Sequence, residues 1–273
     1  MMIRKEKIEE IHSIQLEMLK SVITVCETLS IPFFLVHGTL LGAAKFGGFV
    51  PYDDDIDIAM MRKDYERFLT CANDLLPPNL FCQSHWSESR YPLSFAKIRN
   101  SNTTCLTQKL KGINQGIYID VFPIDYWQRP HFFKRALLKI ANVRIGSVFY
   151  DNPPIKIKVR RLISKILIPS FKTAVNLRER IVSTQRKTDL ISITGGKKTD
   201  TGIPFSWFNE GTNVVFCGLV CRAPTDYISY LNHIYYGNYE TATLLEQRNH
   251  DKMFVEMDVD IIDTEKPYWV YQN

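Results

Sequence analysis

A chain of 273 residues that is 45% apolar and 23% charged can bury one large core, or a core with a helical subdomain, and is excluded from the disordered and fibrous classes. Its net charge of +5 is too small to define a partner, and its six cysteines (Cys26, Cys71, Cys82, Cys105, Cys217, Cys221) are scattered. That scatter argues against a disulfide framework and against a zinc site, because Cys217-x3-Cys221 has no second pair. It suits free thiols in a reducing cytoplasm.

Met1 to Glu6 run straight into a charged amphipathic segment, so neither a secretory leader nor a membrane span is expected. The first predicted helix carries Ile8, Ile11, Gln15, Leu16, Leu19, Val22, Ile23, Cys26 and Leu29 along one side, suited to packing on a sheet. Ile31 to Val36 then read as a short buried strand, and Leu40 to Lys45 as the start of a helix. His37-Gly38-Thr39 therefore forms the strand-to-helix turn, where free backbone N–H groups attract anions and a glycine lets phosphate approach the main chain. Thr39 offers a hydroxyl and Lys45 a charge.

Pro51-Tyr52-Asp53-Asp54-Asp55-Ile56-Asp57-Ile58 follows. In a strand, Asp53, Asp55 and Asp57 share one face while Ile56, Ile58 and Met60 line the other. Clustered carboxylates repel and take up protons unless a cation neutralises them. Oxygen ligands with no His or Cys beside them favour magnesium or manganese. A calcium loop counted from Asp53 fails, since Ile58 occupies its glycine position and Asp64 its bidentate glutamate position. A solvated acidic turn is the plainer alternative, opposed by the interleaved isoleucines.

A second acidic strand is predicted at Gly116 to Asp125. Ile117, Ile119 and Val121 alternate with Tyr118, Asp120 and Phe122, which sets Asp120 among aromatics. Asp120 is either one partner of an ion pair with Lys97 or Arg99, or the third carboxylate of a metal site and an acceptor for the proton of an attacking hydroxyl.

From Arg129 to Lys187, 15 Lys and Arg face only Asp151 and Glu179, so this stretch carries +13 in a chain whose total is +5. Ile155, Val159, Leu162, Ile163, Ile166 and Leu167 recur at helical spacing beside Lys156, Arg160, Arg161 and Lys165. Two readings stay open: a helix on an anionic membrane surface, or a helical subdomain packed on the core with a solvated basic face. No nucleic-acid motif accompanies the charge. Pro77-Pro78, Pro153-Pro154, Gly195-Gly196 and Gly211 mark loops. Trp86, Tyr91, Tyr126, Trp127, Trp207 and Phe208 are the aromatic candidates for holding a quaternary ammonium, although most are expected to be core.

Taken together, His37 to Ala43, Phe49 to Asp57, Tyr65, Phe95 to Asn100 and Gly116 to Asp125 resemble the LicD family, which includes bacterial phosphocholine transferases and is related to fukutin and the fukutin-related protein. The resemblance continues at Ala223-Pro224, Tyr230-Leu231, Tyr236 to Tyr239 and Glu246 to His250, and covers most of the chain except its middle. It departs where Tyr52 replaces the usual Trp, Lys45 the usual Arg, Cys217 the usual Glu, and Thr243-Leu244-Leu245 the usual proline pair.

The resemblance implies an α/β (α+β) fold with a polymerase-β-like nucleotidyltransferase core, its mixed sheet flanked by helices. It implies Asp55, Asp57 and Asp120 as metal carboxylates with Asp53 close by, and Mg2+ or Mn2+ as cofactor. The implied reaction moves a phospho-alcohol, phosphocholine first, from a CDP-alcohol donor to a hydroxyl of a cell-surface glycan such as lipopolysaccharide, capsule or teichoic acid, with release of CMP. Candidates for substrate and nucleotide contact are His37, Gly38, Thr39, Lys45, Lys97, Arg99, Trp207, Arg248 and His250, with Lys97, Arg99 or Arg248 placed to offset charge on the leaving nucleotide.

Two metal ions roughly 4 Å apart clamp the attacking and leaving oxygens in such displacements. The expected division is a catalytic core at 1–128, a basic helical insertion at 129–190 and a C-terminal part at 191–273 that completes the site. A cytoplasmic protein is expected, with the inner face of the cell membrane as the place of any peripheral contact. A nucleotidyltransferase that leaves a nucleoside monophosphate on its acceptor, and a catalytically silent binding protein of glycan assembly, remain the alternatives.

Overall fold

The computed structural model describes residues 5–51, 53–106, 112–128, 131–146, 155–183, 186–194, 202–235, 237–241 and 261–271. Tyr52, Tyr236, Thr243 to Leu245, Arg248 and His250 fall outside these residues, as do Pro153-Pro154 and Gly195-Gly196.

The chain begins with the long helix α1 (Lys5–Thr28), whose Ile11, Gln15, Leu19, Val22 and Cys26 are buried as its pattern predicts. Met18 and Val25 join them, while Leu16 and Ile23 are half-buried. Strand β1 is only Phe34–Leu35, shorter than the expected Ile31 to Val36. Helix α2 starts at His37 rather than Leu40 and runs to Phe46, so the anticipated turn is the helix's own first turn. It stops at Gly47, which adopts φ 65° and returns its N–H to Ala43 O, while Gly48 N–H reaches Gly42 O. This is the left-handed stop that glycine makes without strain. Gly42 is required by close approach, since a Cβ there would lie 2.2 Å from Gly48 O.

Strand β2 (Asp57–Met61) leads into α3 (Arg62–Leu75), followed by β3 (Leu80–Gln83), β4 (Ala96–Asn100), β5 (Thr104–Leu106) and β6 (Ile117–Tyr126). The main sheet is mixed and curled, in the order β1-β2-β6-β4-β3. The β2–β6 pair is parallel and the others on this path are antiparallel. Strand β6 is long enough to pair first with β4 and then, through Ile124 to Tyr126, with β7 (Leu190–Ile193), to which β8 (Ile203–Pro204) adds. Ile58, Ala59, Met60, Ile119, Val121 and Ile124 are fully buried, which accounts for the near-continuous apolar runs of the central strands.

The segment between β6 and β7 is helical, as its composition predicts: α4 (Phe132–Ile145), α5 (Ile155–Leu167) and α6 (Phe171–Val182). It has its own small apolar cluster of Ala141, Ile145, Ile168, Ala174 and Val175. Polar groups tie α6 to the main sheet. Arg178 donates to Pro92 O and Leu93 O, both at 2.8 Å, and Glu179 pairs with Arg62, which grips Asp125 through two bonds of 2.7 and 2.6 Å. Thr194 is buried and donates to the same Asp125 carboxylate at 2.7 Å.

A hairpin of β9 (Thr212–Phe216) and β10 (Leu219–Ala223) turns at Cys217-Gly218, both at positive φ as a two-residue turn of the primed type requires. Cys217 N–H bonds Gly47 O at 2.6 Å, which fastens the hairpin to the end of α2. Helix α7 (Tyr227–Ile234) is followed by β11 (Ile261–Asp263), which pairs with β5.

Candidate metal and phosphoryl-transfer site

The strand carrying the acids begins only at Asp57. Asp53 to Ile56 are irregular backbone, so the expectation of Asp53, Asp55 and Asp57 alternating on one strand face is corrected. Strict alternation needs continuous pairing. β1 stops at Leu35, and the pairing with β6 begins at Asp57.

What brings the acids together is the register between strands. Asp57 stands opposite Asp120 in the parallel β2–β6 pair, and Asp120 opposite Lys97 in the antiparallel β6–β4 pair. Lys97, Asp120 and Asp57 thus form one row across three strands. Residues at matching positions of paired strands project to the same face. Asp55 reaches this row from the loop: carboxylate oxygens of Asp55, Asp57 and Asp120 all lie within 4.8 Å of one another. Asp53, Asp54 and Asp55 meet the same limit, so Asp55 belongs to both groups. Asp54 is the acid that alternation left out. An uninterrupted Asp53-Asp54-Asp55 run was the available signal, because a non-strand turn can gather consecutive side chains.

The acid loop is held by contacts from distant parts of the chain. His12 Nε2 donates to Asp53 O at 2.6 Å, and its ring stacks on Phe49 with centroids 3.6 Å apart. Gln15 Nε2 donates to Asp54 O at 2.7 Å and to Tyr118 O at 3.0 Å, bridging the loop to β6. The α1 helix, in which the sequence suggests packing alone, therefore positions the acids. Thr39 is buried, and its Oγ1 accepts from Asp57 N–H at 2.7 Å, so this hydroxyl braces the acidic strand. Gly38 backs onto Asp53, where a Cβ would lie 2.6 Å from Asp53 Oδ2.

Both predicted strand cations are buried. Lys97 Nζ bonds Asp120 Oδ1 and lies 3.4 Å from the Tyr118 ring centroid. Asp120 thus makes the ion pair and also lies in a carboxylate cluster that could hold a metal, so the two alternatives do not exclude each other. Arg99 is committed elsewhere, to Gln83 Oε1 at 2.9 Å and Gly116 O at 2.7 Å, with its guanidinium 4.7 Å from the Tyr118 ring centroid. Lys45 bonds Glu240 O. His37 packs edge-on against Phe122 at 5.2 Å. Trp207 meets His233 edge-on at 5.8 Å. Of the aromatic candidates, Tyr91 and Phe208 are buried and Trp86 is exposed, so these three do not form an open cage. Arg248 and His250 lie outside the described residues.

Burial, with Asp55 alongside, holds the Asp54 and Asp57 carboxyls well above the usual carboxylate range. Burial also raises Asp120, against the pull of Lys97. The Lys97 ammonium is lowered by burial and supported by Asp120. Among the described residues, Lys97 with Arg99 behind it does not offset the five carboxylates Asp53, Asp54, Asp55, Asp57 and Asp120. The donor set fits a hard divalent ion: it is all oxygen, its ligand atoms lie within 4.8 Å of one another, and a cation among them would relieve the repulsion and burial that raise Asp54, Asp57 and Asp120. Asp55, Asp57 and Asp120 could hold one ion, with Asp53 and Asp54 extending the site through Asp55.

Residues 30–143 match the nucleotidyltransferase domain described as LicD/FKTN/FKRP. This interval contains α2, the acid loop, β2, β4 and β6. Lipopolysaccharide cholinephosphotransferase LicD of Haemophilus influenzae is 39% identical over 116 residues, covering 37% of this chain and 38% of that protein. An uncharacterized protein of Rickettsia prowazekii is 27% identical over 127 residues, covering 45% of this chain and 44% of its own length. One of Rickettsia typhi is 31% identical over 125 residues, covering 44% and 37%. The chain thus spans about two-fifths of the length of the curated relatives it matches.

Proposed function

We propose that this protein is a metal-dependent phosphotransferase, a reading supported by the match of residues 30–143 to the LicD/FKTN/FKRP nucleotidyltransferase domain. In this reading it moves a phospho-alcohol, phosphocholine first, from a CDP-alcohol to a glycan hydroxyl and releases CMP. The observation that carries the reading is the row Lys97–Asp120–Asp57 with Asp55 closing on it. The similarity to the Haemophilus cholinephosphotransferase supports the choice of donor and acceptor class.

In this scheme the core is of the polymerase-β kind and spans 1–128, the basic helices at 129–190 are an insertion, and 191–273 completes the site. A divalent ion, Mg2+ or Mn2+, held by Asp55, Asp57 and Asp120 would supply positive charge to the phosphoryl oxygens. The protein's own groups do the rest. Lys97 orients Asp120 by holding Oδ1, and in this scheme the Asp120 carboxylate takes the acceptor hydroxyl's proton. Thr39 and Gln15 fix the heights of Asp57 and Asp54. The first turn of α2, with Gly38 and without a side-chain cap, offers backbone N–H groups to a donor phosphate.

The test is CMP release by purified protein from a panel of CDP-alcohols, with magnesium and with EDTA. Metal-dependent CMP from one donor supports the reading and names the alcohol. Pyrophosphate release from a nucleoside triphosphate in its place would move the protein to the nucleotidyltransferase alternative. Nucleotide binding with no turnover, even after a crude glycan extract is added, would make it a binding protein.

A further inference from the structure

Helix α5 presents the wrong face to the protein for a core helix. Ile155, Val159, Leu162 and Ile166 recur at i, i+4, i+7 and i+11 and form one stripe. That stripe is 79, 52, 61 and 72% exposed. The side against the protein is marked by Ser164, the only α5 residue that is buried, whose hydroxyl turns back to Arg161 O at 2.8 Å. At helical spacing Ser164 falls opposite the stripe, while Lys158 and Lys165 border it on one side and Lys156 on the other. The reading in which the apolar side packs on the core is therefore set aside. Helix α4 exposes further apolar side chains, Phe132 and Phe133 at 77 and 78%, and Leu137 and Leu167 line one groove between the helices.

We propose that this surface, the α5 stripe with Phe132 and Phe133, docks on an anionic lipid bilayer. Charge decides among occupants. Helix α5 holds five cations and no acid, within a stretch carrying +13. A second copy of the chain seated on the stripe about a twofold axis would bring these cations against their own equivalents. A lipid surface instead offers both complements at once. Its acyl boundary takes the isoleucines, leucine and phenylalanines, and its headgroup phosphates take the flanking lysines. The lysines' positions at the edges of the stripe match that layering, because their stems reach sideways while their ammonium groups stay at the phosphate level. The α6 anchor, Arg178 on Pro92 and Leu93 and Glu179 on Arg62, couples the helical module to the sheet carrying the acidic site. Docking by α5 would therefore hold that sheet near the membrane.

Flotation of the full chain with vesicles tests this independently of any enzymatic reading. Vesicles of phosphatidylcholine alone are compared with vesicles containing one-third phosphatidylglycerol. The expected result is partitioning about tenfold or more in favour of the anionic vesicles, weakened at about 0.5 M salt. Leu162→Asp with Ile166→Asp should abolish it without lowering the melting temperature, since both side chains are already in solvent. Lys158→Gln with Lys165→Gln should weaken binding to the anionic vesicles alone. The proposal is overturned if the wild-type protein floats with neither vesicle or if the aspartate pair floats as well as wild type. Light scattering that reveals a dimer dispersed by the aspartate pair would overturn it in favour of a second copy.

Discussion

Asp57 and Asp120 stand directly opposite each other across the parallel β2–β6 pair, and both are buried. Two carboxylates brought out of water and side by side repel, and such a pairing is stable only with protons or a cation between them. Lys97, opposite Asp120 on the other flank, supplies part of that charge.

Asp57→Asn should lower metal-dependent CMP release by at least about 100-fold, more than the loss of a group that merely orients a metal ligand. The fold should survive, because the strand keeps its shape and sheds a repulsion. Magnesium should raise the melting temperature of the wild-type protein, by about 2.7 kcal/mol of stabilisation at a hundredfold excess over Kd, and should do so less for the variant. A variant with near-normal turnover would remove Asp57 from the metal site.

Lys97→Met leaves the Asp120 carboxylate buried without its ammonium, and should destabilise the metal-free protein by about 3–5 kcal/mol. Asp120→Asn in the same chain should recover part of that loss, because the uncompensated charge is gone. Chemical denaturation of the two single variants and the double variant measures the coupling. Strict additivity would mean that the pair contributes nothing.

Gln15→Ala removes the amide that ties Asp54 O to Tyr118 O. It should cost about 1–3 kcal/mol, the range for leaving buried polar groups without a partner. It should also diminish the stabilisation given by magnesium, which an ordinary cavity in the core would leave intact. Melting curves with magnesium and with EDTA separate the two effects.

Burial, with Arg178 and Arg62 nearby, pushes the His85 imidazole down to about 4. The unfolded chain's histidine takes up a proton near pH 6.5, and the native one does so only near pH 4. The His85 contribution to native stability should therefore fall as pH drops from about 6.5 towards 4, opposed there by the buried carboxyls of Asp54, Asp57 and Asp120, whose raised affinity for protons favours the native state, and should change little above that window. His85→Gln should flatten the melting temperature across the same interval. An unchanged slope would show that His85 titrates alike in both states.

The sequence by itself determined the elements and the chemical inventory. The alternation of Ile117, Ile119 and Val121 marks β6, the stripe from Ile155 to Ile166 marks α5, and the run from Asp53 to Asp57 announces a place where charge must be neutralised. These follow from local periodicity, which depends only on residues a few positions apart. The tertiary structure decided which of these groups meet. Pairing that begins at Asp57 left Asp53 to Ile56 as a turn and admitted Asp54 to the cluster. The β2–β6–β4 register set Asp57, Asp120 and Lys97 in a row and drew Arg99 away to Gln83. The packing of α1 gave His12 and Gln15 their part in holding the acids, and the burial of Ser164 turned the apolar stripe of α5 outward. No local pattern encodes these outcomes, because strand register and helix orientation are set by the burial of side chains far apart in the chain.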